Sequence, residues 1–137
     1  MKKLCVIDGQ GGGIGAAIIK TLRSAYRETV DITALGTNAI ATAQMLKARA
    51  NRGASGENAI IRTTLTVDVV IGPASIIIAH ALMGEVTPAI AEAVASCPAK
   101  KILLPLYQEN VAFVGLPEEP LPHLLEALIA DHLNQMD

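Results

Sequence analysis

The stretch Leu4-Cys5-Val6-Ile7-Asp8-Gly9-Gln10-Gly11-Gly12-Gly13-Ile14-Gly15 passes from an unbroken apolar run into five glycines within seven residues. An apolar run without polar alternation is what a parallel strand covered on both faces requires, and Asp8-Gly9 end it. Beyond the glycines, Ile14, Ile18 and Leu22 recur at helical spacing to about Arg27, with Lys20, Arg23 and Arg27 elsewhere on the wheel. The order is strand, glycine loop, helix.

The same alternation continues outward. Asp31–Leu35 predicts a second strand closed by Gly36, and Asn38 to about Ala50 predicts an alanine-rich helix. Asn51–Gly56 has loop composition, with Ser55 placed to cap a helix from Glu57 to about Leu65; a strand over that span is the alternative. Val67–Ile71 predicts a buried strand stopped by Gly72-Pro73, followed by an apolar helix Ala74–Leu82 that Gly84 ends. Thr87 then caps, and Pro88 opens, a helix to about Ala95. Lys101–Leu106 and Val111–Leu116 predict two strands joined as a hairpin, and Leu121, Leu124, Leu125, Leu128, Ile129 and Leu133 mark an amphipathic C-terminal helix. The expected fold is a three-layer, Rossmann-like α/β domain spanning residues 1–137. Its sheet has about five mostly parallel strands, completed by a C-terminal β-hairpin and helix.

Composition narrows the function. The 137 residues are 51% apolar and 18% charged, and the mean hydropathy is +0.42, which excludes disorder and exceeds what one small core buries. A homo-oligomer, a dimer or tetramer, is therefore expected, with Ala74–Leu82 and Leu121–Leu133 as its contacts. Aromatics are only 2% and the net charge is −2, so neither stacking platforms nor a basic surface for nucleic acid are supplied. Cys5 and Cys97 have no CxxC spacing, and Asp8 with the glycines cuts short the only signal-like start, which predicts a cytoplasmic protein with no membrane segment. His80, His123 and His132 are scattered, and no metal site is expected.

A glycine loop between a buried strand and a helix lets backbone approach a phosphate and aims helix N-terminal amides at it. Gly9-xxx-Gly13-Ile-Gly15 resembles the glycine motif of short-chain dehydrogenases, and Gly11-x-Gly13-xx-Ala16 resembles the wider Rossmann fingerprint. NAD(P) or another nucleotide is the expected cofactor class, and a tight turn serving only helix–sheet packing is the alternative. The expected binding residues are Gly9, Gln10, Gly11, Gly12, Gly13, Ile14 and Gly15, joined at the other strand ends by Gly36, Thr37, Asn38, Gly72, Pro73 and Ser75. Tyr107, Glu109 and Asn110 are placed to close the same rim.

Two features depart from a dehydrogenase. The second strand ends in Gly36-Thr37-Asn38, without the acid that grips a ribose hydroxyl, so Thr37 or Asn38 would have to serve. Neither Tyr26 nor Tyr107 has a lysine four residues later, which removes the pair that drives short-chain hydride transfer. If there is chemistry, Glu85 and Asp8 are the candidate bases, although a turn role suits Asp8 better because a carboxylate beside a phosphate repels it. Lys47, Arg49, Arg52 and Arg62 form a loose basic cluster, and Cys97 before Pro98 reads as a buried helix-end residue. Replacing Gly13 by alanine is expected to cost at most about 1–2 kcal/mol of stability and at least about tenfold in affinity.

The segments Val6–Gly15, Ala34–Thr42, Gly53–Ile60, Val69–Ala79 and Gly84–Ala93 together resemble a family of small bacterial proteins, domain of unknown function 3842. The resemblance spans nearly the whole chain. It implies a small cytoplasmic Rossmann-like protein and brings no catalytic residue with it. A nucleotide-binding protein, a non-catalytic oligomeric sensor and a small enzyme on a phosphorylated metabolite all fit it.

Overall fold

In the first strand Leu4 and Val6 enter one apolar cluster, Cys5 and Ile7 enter another, and all four are buried. That alternation puts apolar packing on both faces of the sheet. The computed structural model describes residues 1–106 and 110–134. Strands β1 (Lys2–Asp8), β2 (Val30–Gly36), β3 (Arg52–Ser55), β4 (Val69–Pro73) and β5 (Lys100–Leu104) form one sheet, all parallel, in the order β3-β2-β1-β4-β5. Chain order runs outward from β1 through β2 to β3, then crosses back to place β4 on the other side of β1. The carboxyl end of β1 therefore lies where the strand order reverses, which is where open α/β sheets form a crevice.

Helices α1 (Gly13–Tyr26) and α2 (Ala39–Lys47) pack with Leu4, Val6, Ile32 and Val69, while α3 (Glu57–Thr63) and α4 (Pro88–Ser96) pack with Cys5, Ile7, Leu35 and Val70. The C-terminal helix α5 (Leu121–Ala127) runs on into a π-helical stretch, Leu128–Leu133, which joins the α1–α2 side. Ile18, Ile19 and Leu22 are fully enclosed under α1, each worth about 1.5–3 kcal/mol of burial. At the far end of α1 the buried Arg23 guanidinium donates to the carbonyls of Arg49, Arg27 and Val30 and to Asn51 Oδ1, at 2.7–3.0 Å. Asn51 Oδ1 also accepts from Ile32 N at 2.7 Å. This polar knot ties α1 to the base of β2 and the entry to β3, away from the glycine loop.

Four sequence expectations are corrected. Asn51–Gly56 is not a loop: Arg52–Ser55 is the edge strand β3, whose weak β-propensity is overridden by pairing to β2 and by α2 lying close enough that a Cβ on Gly53 would sit 2.8 Å from Thr42 Cγ2. Gly56, not Ser55, stands at the start of α3, and Ser55 Oγ lies 2.7 Å from Thr42 Oγ1. Ala74–Leu82 is not a helix: only Ala74–Ile77 makes a 3₁₀ turn, because Ile76-Ile77-Ile78 is β-branched throughout, and turns follow to Gly84. Val111–Leu116 forms no strand; Val114 is fully exposed and Gly115 takes a left-handed φ of 85°, so extended pairing ends there. The remaining boundaries agree closely, including α4 with Thr87 as its cap and Pro88 at its first position. Of the residues linking the expected hairpin, Tyr107-Gln108-Glu109-Asn110, the first three lie outside the described residues.

Candidate functional site

β1 ends at Asp8, which is 3% exposed. Its carboxylate accepts from Gly9 N at 2.8 Å through Oδ1 and from Gly15 N at 2.7 Å through Oδ2, so it caps α1 from beneath. Burial is the largest influence on Asp8 and raises its pKa above the ordinary carboxylate value. The amides of Gly15, Gly9 and Ile14 pull it down, and Glu85 adds a smaller upward push. The turn role expected for Asp8 is the one its hydrogen bonds describe. Both of its oxygens are engaged by the loop's own amides.

The five loop glycines divide into two groups. Gly9, Gly12 and Gly15 are buried and filled around: added Cβ atoms would lie 2.5 Å from Thr37 Oγ1, 2.8 Å from Ala41 O and 2.5 Å from Met45 Sδ. Gly12 also holds φ at 76°, which an L side chain adopts at a cost. Gly11 and Gly13 differ. Both are exposed, neither has a left-handed φ, and a Cβ on either would meet nothing within 4 Å. Among the described residues their N–H groups have no hydrogen-bond partner.

The rim beside the loop is built around Glu85. Its Oε1 accepts from Gln10 N at 2.9 Å, Thr37 Oγ1 at 2.6 Å and Asn38 Nδ2 at 2.7 Å, joining the glycine loop to the end of β2. Asn38 also caps α2 through Ala41 N and donates to Gln10 O. Partial burial pushes the Glu85 pKa up, but Thr37, Gln10 and Asn38 together outweigh it and hold the group below its ordinary value. It is an anion at neutral pH.

Glu85 arrives on a strap, residues 78–86, that folds back over Gly9 so that Leu82 and Glu85 cover it. His80, Leu82 and Met83 all hold positive φ, a conformation costing each about 1–2 kcal/mol. Bonds from His80 N to Val86 O, Gly84 N to His80 O and Val86 N to Ala81 O fix the strap. Met83 at its tip is 92% exposed. Strain of this kind persists only where surrounding contacts dictate it.

Other sequence-predicted residues fall elsewhere. Gly72 and Pro73 are buried at the end of β4, and a Cβ on Gly72 would lie 2.5 Å from Ile7 O. Ser75 is buried and gives both its N–H and its hydroxyl to Leu106 O, tying down the chain after β5. Arg52 pairs with Asp31 at 2.8 Å near the start of β3, opposite the loop end of the sheet. Glu57 accepts from Thr87, linking the starts of α3 and α4. His123 faces Glu119, and no three metal-ligating side chains converge among the described residues. Asn110 is exposed in a turn, and Tyr107 and Glu109 lie outside the described residues. What spacing did not reveal is that Glu85, 47 residues beyond Asn38, meets Thr37 and Asn38. Only the crossover from β4 brings them together.

A five-stranded parallel sheet with its order reversed beside a glycine loop defines a Rossmann-like α/β protein. More narrowly, the chain belongs to the family described as Domain of unknown function (DUF3842), which matches residues 3–137. No curated protein matches it. Among the described residues no helix is long and apolar enough to cross a membrane.

Proposed function

We propose that this protein binds a nucleotide or dinucleotide, NAD(P)-like in kind, through the phosphate-facing amides of its glycine loop. One observation carries the proposal. Gly11 and Gly13 are glycines that neither packing nor backbone conformation requires, and their exposed N–H groups have no protein acceptor among the described residues. Bare amides at the start of a helix, beside the reversal point of a parallel sheet, suit a phosphate. The Asp8 carboxylate opposes an anion there, but it is buried beneath the loop and its charge is shared among the amides of Gly9 and Gly15.

Binding is favoured over catalysis because both oxygens of Asp8 and one of Glu85 are engaged within the protein, leaving no matched acid–base pair. The setting proposed is cytoplasmic, in a dimer or tetramer. Exposed Ile40, Leu65 and Leu116 support self-association, whereas the two segments expected at the contact spend much of their apolar surface on the chain's own core. A sensor, in which ligand at the loop shifts the strap and so alters assembly, is the second reading; the Gln10–Glu85 bond supports it. Mass spectrometry of small molecules released from purified, heat-denatured protein tests the proposal. A retained nucleotide supports it, and a retained metabolite without phosphate overturns it.

A further inference from the structure

We infer that Glu85 is the ribose-selecting residue of this site, supplying from the strap the carboxylate that the end of β2 lacks; this rests on the nucleotide proposal above. In dinucleotide-binding sheets of this kind, an acid near the end of the second strand accepts the ribose hydroxyl. Here that strand ends in Gly36-Thr37-Asn38, and the two polar residues do not face the crevice as free donors. Thr37 Oγ1 and Asn38 Nδ2 are both spent on Glu85 Oε1, at 2.6 and 2.7 Å, and Gln10 N adds a third bond. The carboxylate is thus fixed at the end of β2 by the residues that sequence alone would assign to the ribose.

Only Oε1 is used in this way. Oε2 has no donor among the described residues. A carboxylate oxygen accepts and cannot donate, so it suits the O–H groups of a sugar diol and repels a phosphate ester at the same place. The two sides of Gln10 then divide the work: Gly11 and Gly13 offer amides to the phosphate, and Glu85 offers an acceptor to the ribose. Such a site takes ribonucleotides with free hydroxyls. It discriminates against 2′-deoxy and 2′-phosphorylated forms.

The test is isothermal titration of the full chain, wild type, Glu85→Gln and Glu85→Ala, with four probes: ADP, 2′-deoxy-ADP, NAD and NADP. Wild type is expected to favour ADP over 2′-deoxy-ADP and NAD over NADP by at least about tenfold each. Both variants should bring the two ratios to within about threefold while thermal melts show them folded, with Glu85→Gln deciding alone if the alanine variant does not fold. A carboxylate that merely holds the loop would weaken all four probes together and leave the ratios unchanged. Unchanged ratios in the variants, or no discrimination by wild type, overturn the role of Glu85 and leave the nucleotide proposal standing. Failure of wild type to bind any of the four overturns both.

Discussion

Gly13→Ala separates a ligand-facing glycine from a structural one. Gly13 is the first residue of α1, and an added Cβ there meets nothing within 4 Å. Its φ is outside the left-handed range, so within the sequence-based ceiling of about 1–2 kcal/mol the expected change narrows to between zero and a gain. Alanine exceeds glycine by about 0.8–1 kcal/mol in a helix interior, and less than that applies at a first position. Affinity should move the other way. A methyl group over an amide that faces phosphate displaces the anion and weakens bonds worth about 1.5–3 kcal/mol each, which is about tenfold or more in Kd. Gly12→Ala is the contrast: its Cβ would lie 2.8 Å from both Ala41 Cα and Ala41 O, and its φ is 76°, so it should lose at least about 1–2 kcal/mol. Denaturant unfolding and calorimetric titration with ADP and NAD, run on the same preparations, give both quantities. A Gly13→Ala protein that is stable and binds as wild type does would refute the phosphate assignment, and one that fails to fold would refute the structural account of Gly13.

Arg23→Met should lower stability by at least about 2 kcal/mol, since the buried carbonyls of Arg49, Arg27 and Val30 lose a donor; urea unfolding checks this, and affinity per folded molecule should not change. The two site carboxylates should give opposite pH signatures. Asp8 has a raised folded-state pKa, so its contribution is present in acid and lost as pH rises through that pKa. Glu85 has a lowered one, so its contribution is present above its unfolded pKa and lost as pH falls through the folded value. In thermal melts from about pH 3 to about pH 7, the stability of wild type relative to Asp8→Asn should therefore fall with rising pH, and relative to Glu85→Gln it should rise. Parallel slopes would contradict the assigned environments. Cys5, buried with its thiol pushed up to about 12 by burial and by Cys97, should resist a maleimide at about pH 8 until denaturant is added. Rapid native labelling of Cys5 would show that the sheet opens.

The strand–loop–helix start was legible because Leu4–Ile7 and Ile14, Ile18 and Leu22 each follow a single period that tertiary packing then obeys. Thr87 and Pro88 were legible for a similar reason, a local capping preference that the fold uses unchanged. Residues 51–56 and 74–82 were not, because in each the neighbours decide. Gly53 and Ala54 become a strand only by lying beside β2 and beneath α2, and in the Ile76–Ile78 run Ile76 and Ile78 turn to the core while Ile77 is exposed. At the site, the glycines were visible as a group, but which of them are free of structural duty depends on Ala41, Met45 and Thr37, all distant in sequence. Gly72, Pro73 and Ser75 carry the composition of a ligand rim, yet β1, β5 and Leu106 claim them in turn.

The most direct measurement is a ¹⁵N–¹H NMR titration of the protein with ADP and with NAD, following the backbone amides of the glycine loop. Binding as described predicts saturable shifts that are largest at Gly11 and Gly13, smaller at Gln10 and Thr37, and negligible at Arg23 and Asn51 at the opposite end of the sheet. Amides of Gly11 and Gly13 that do not move at millimolar concentrations of either probe, or shifts that concentrate elsewhere, would contradict the account.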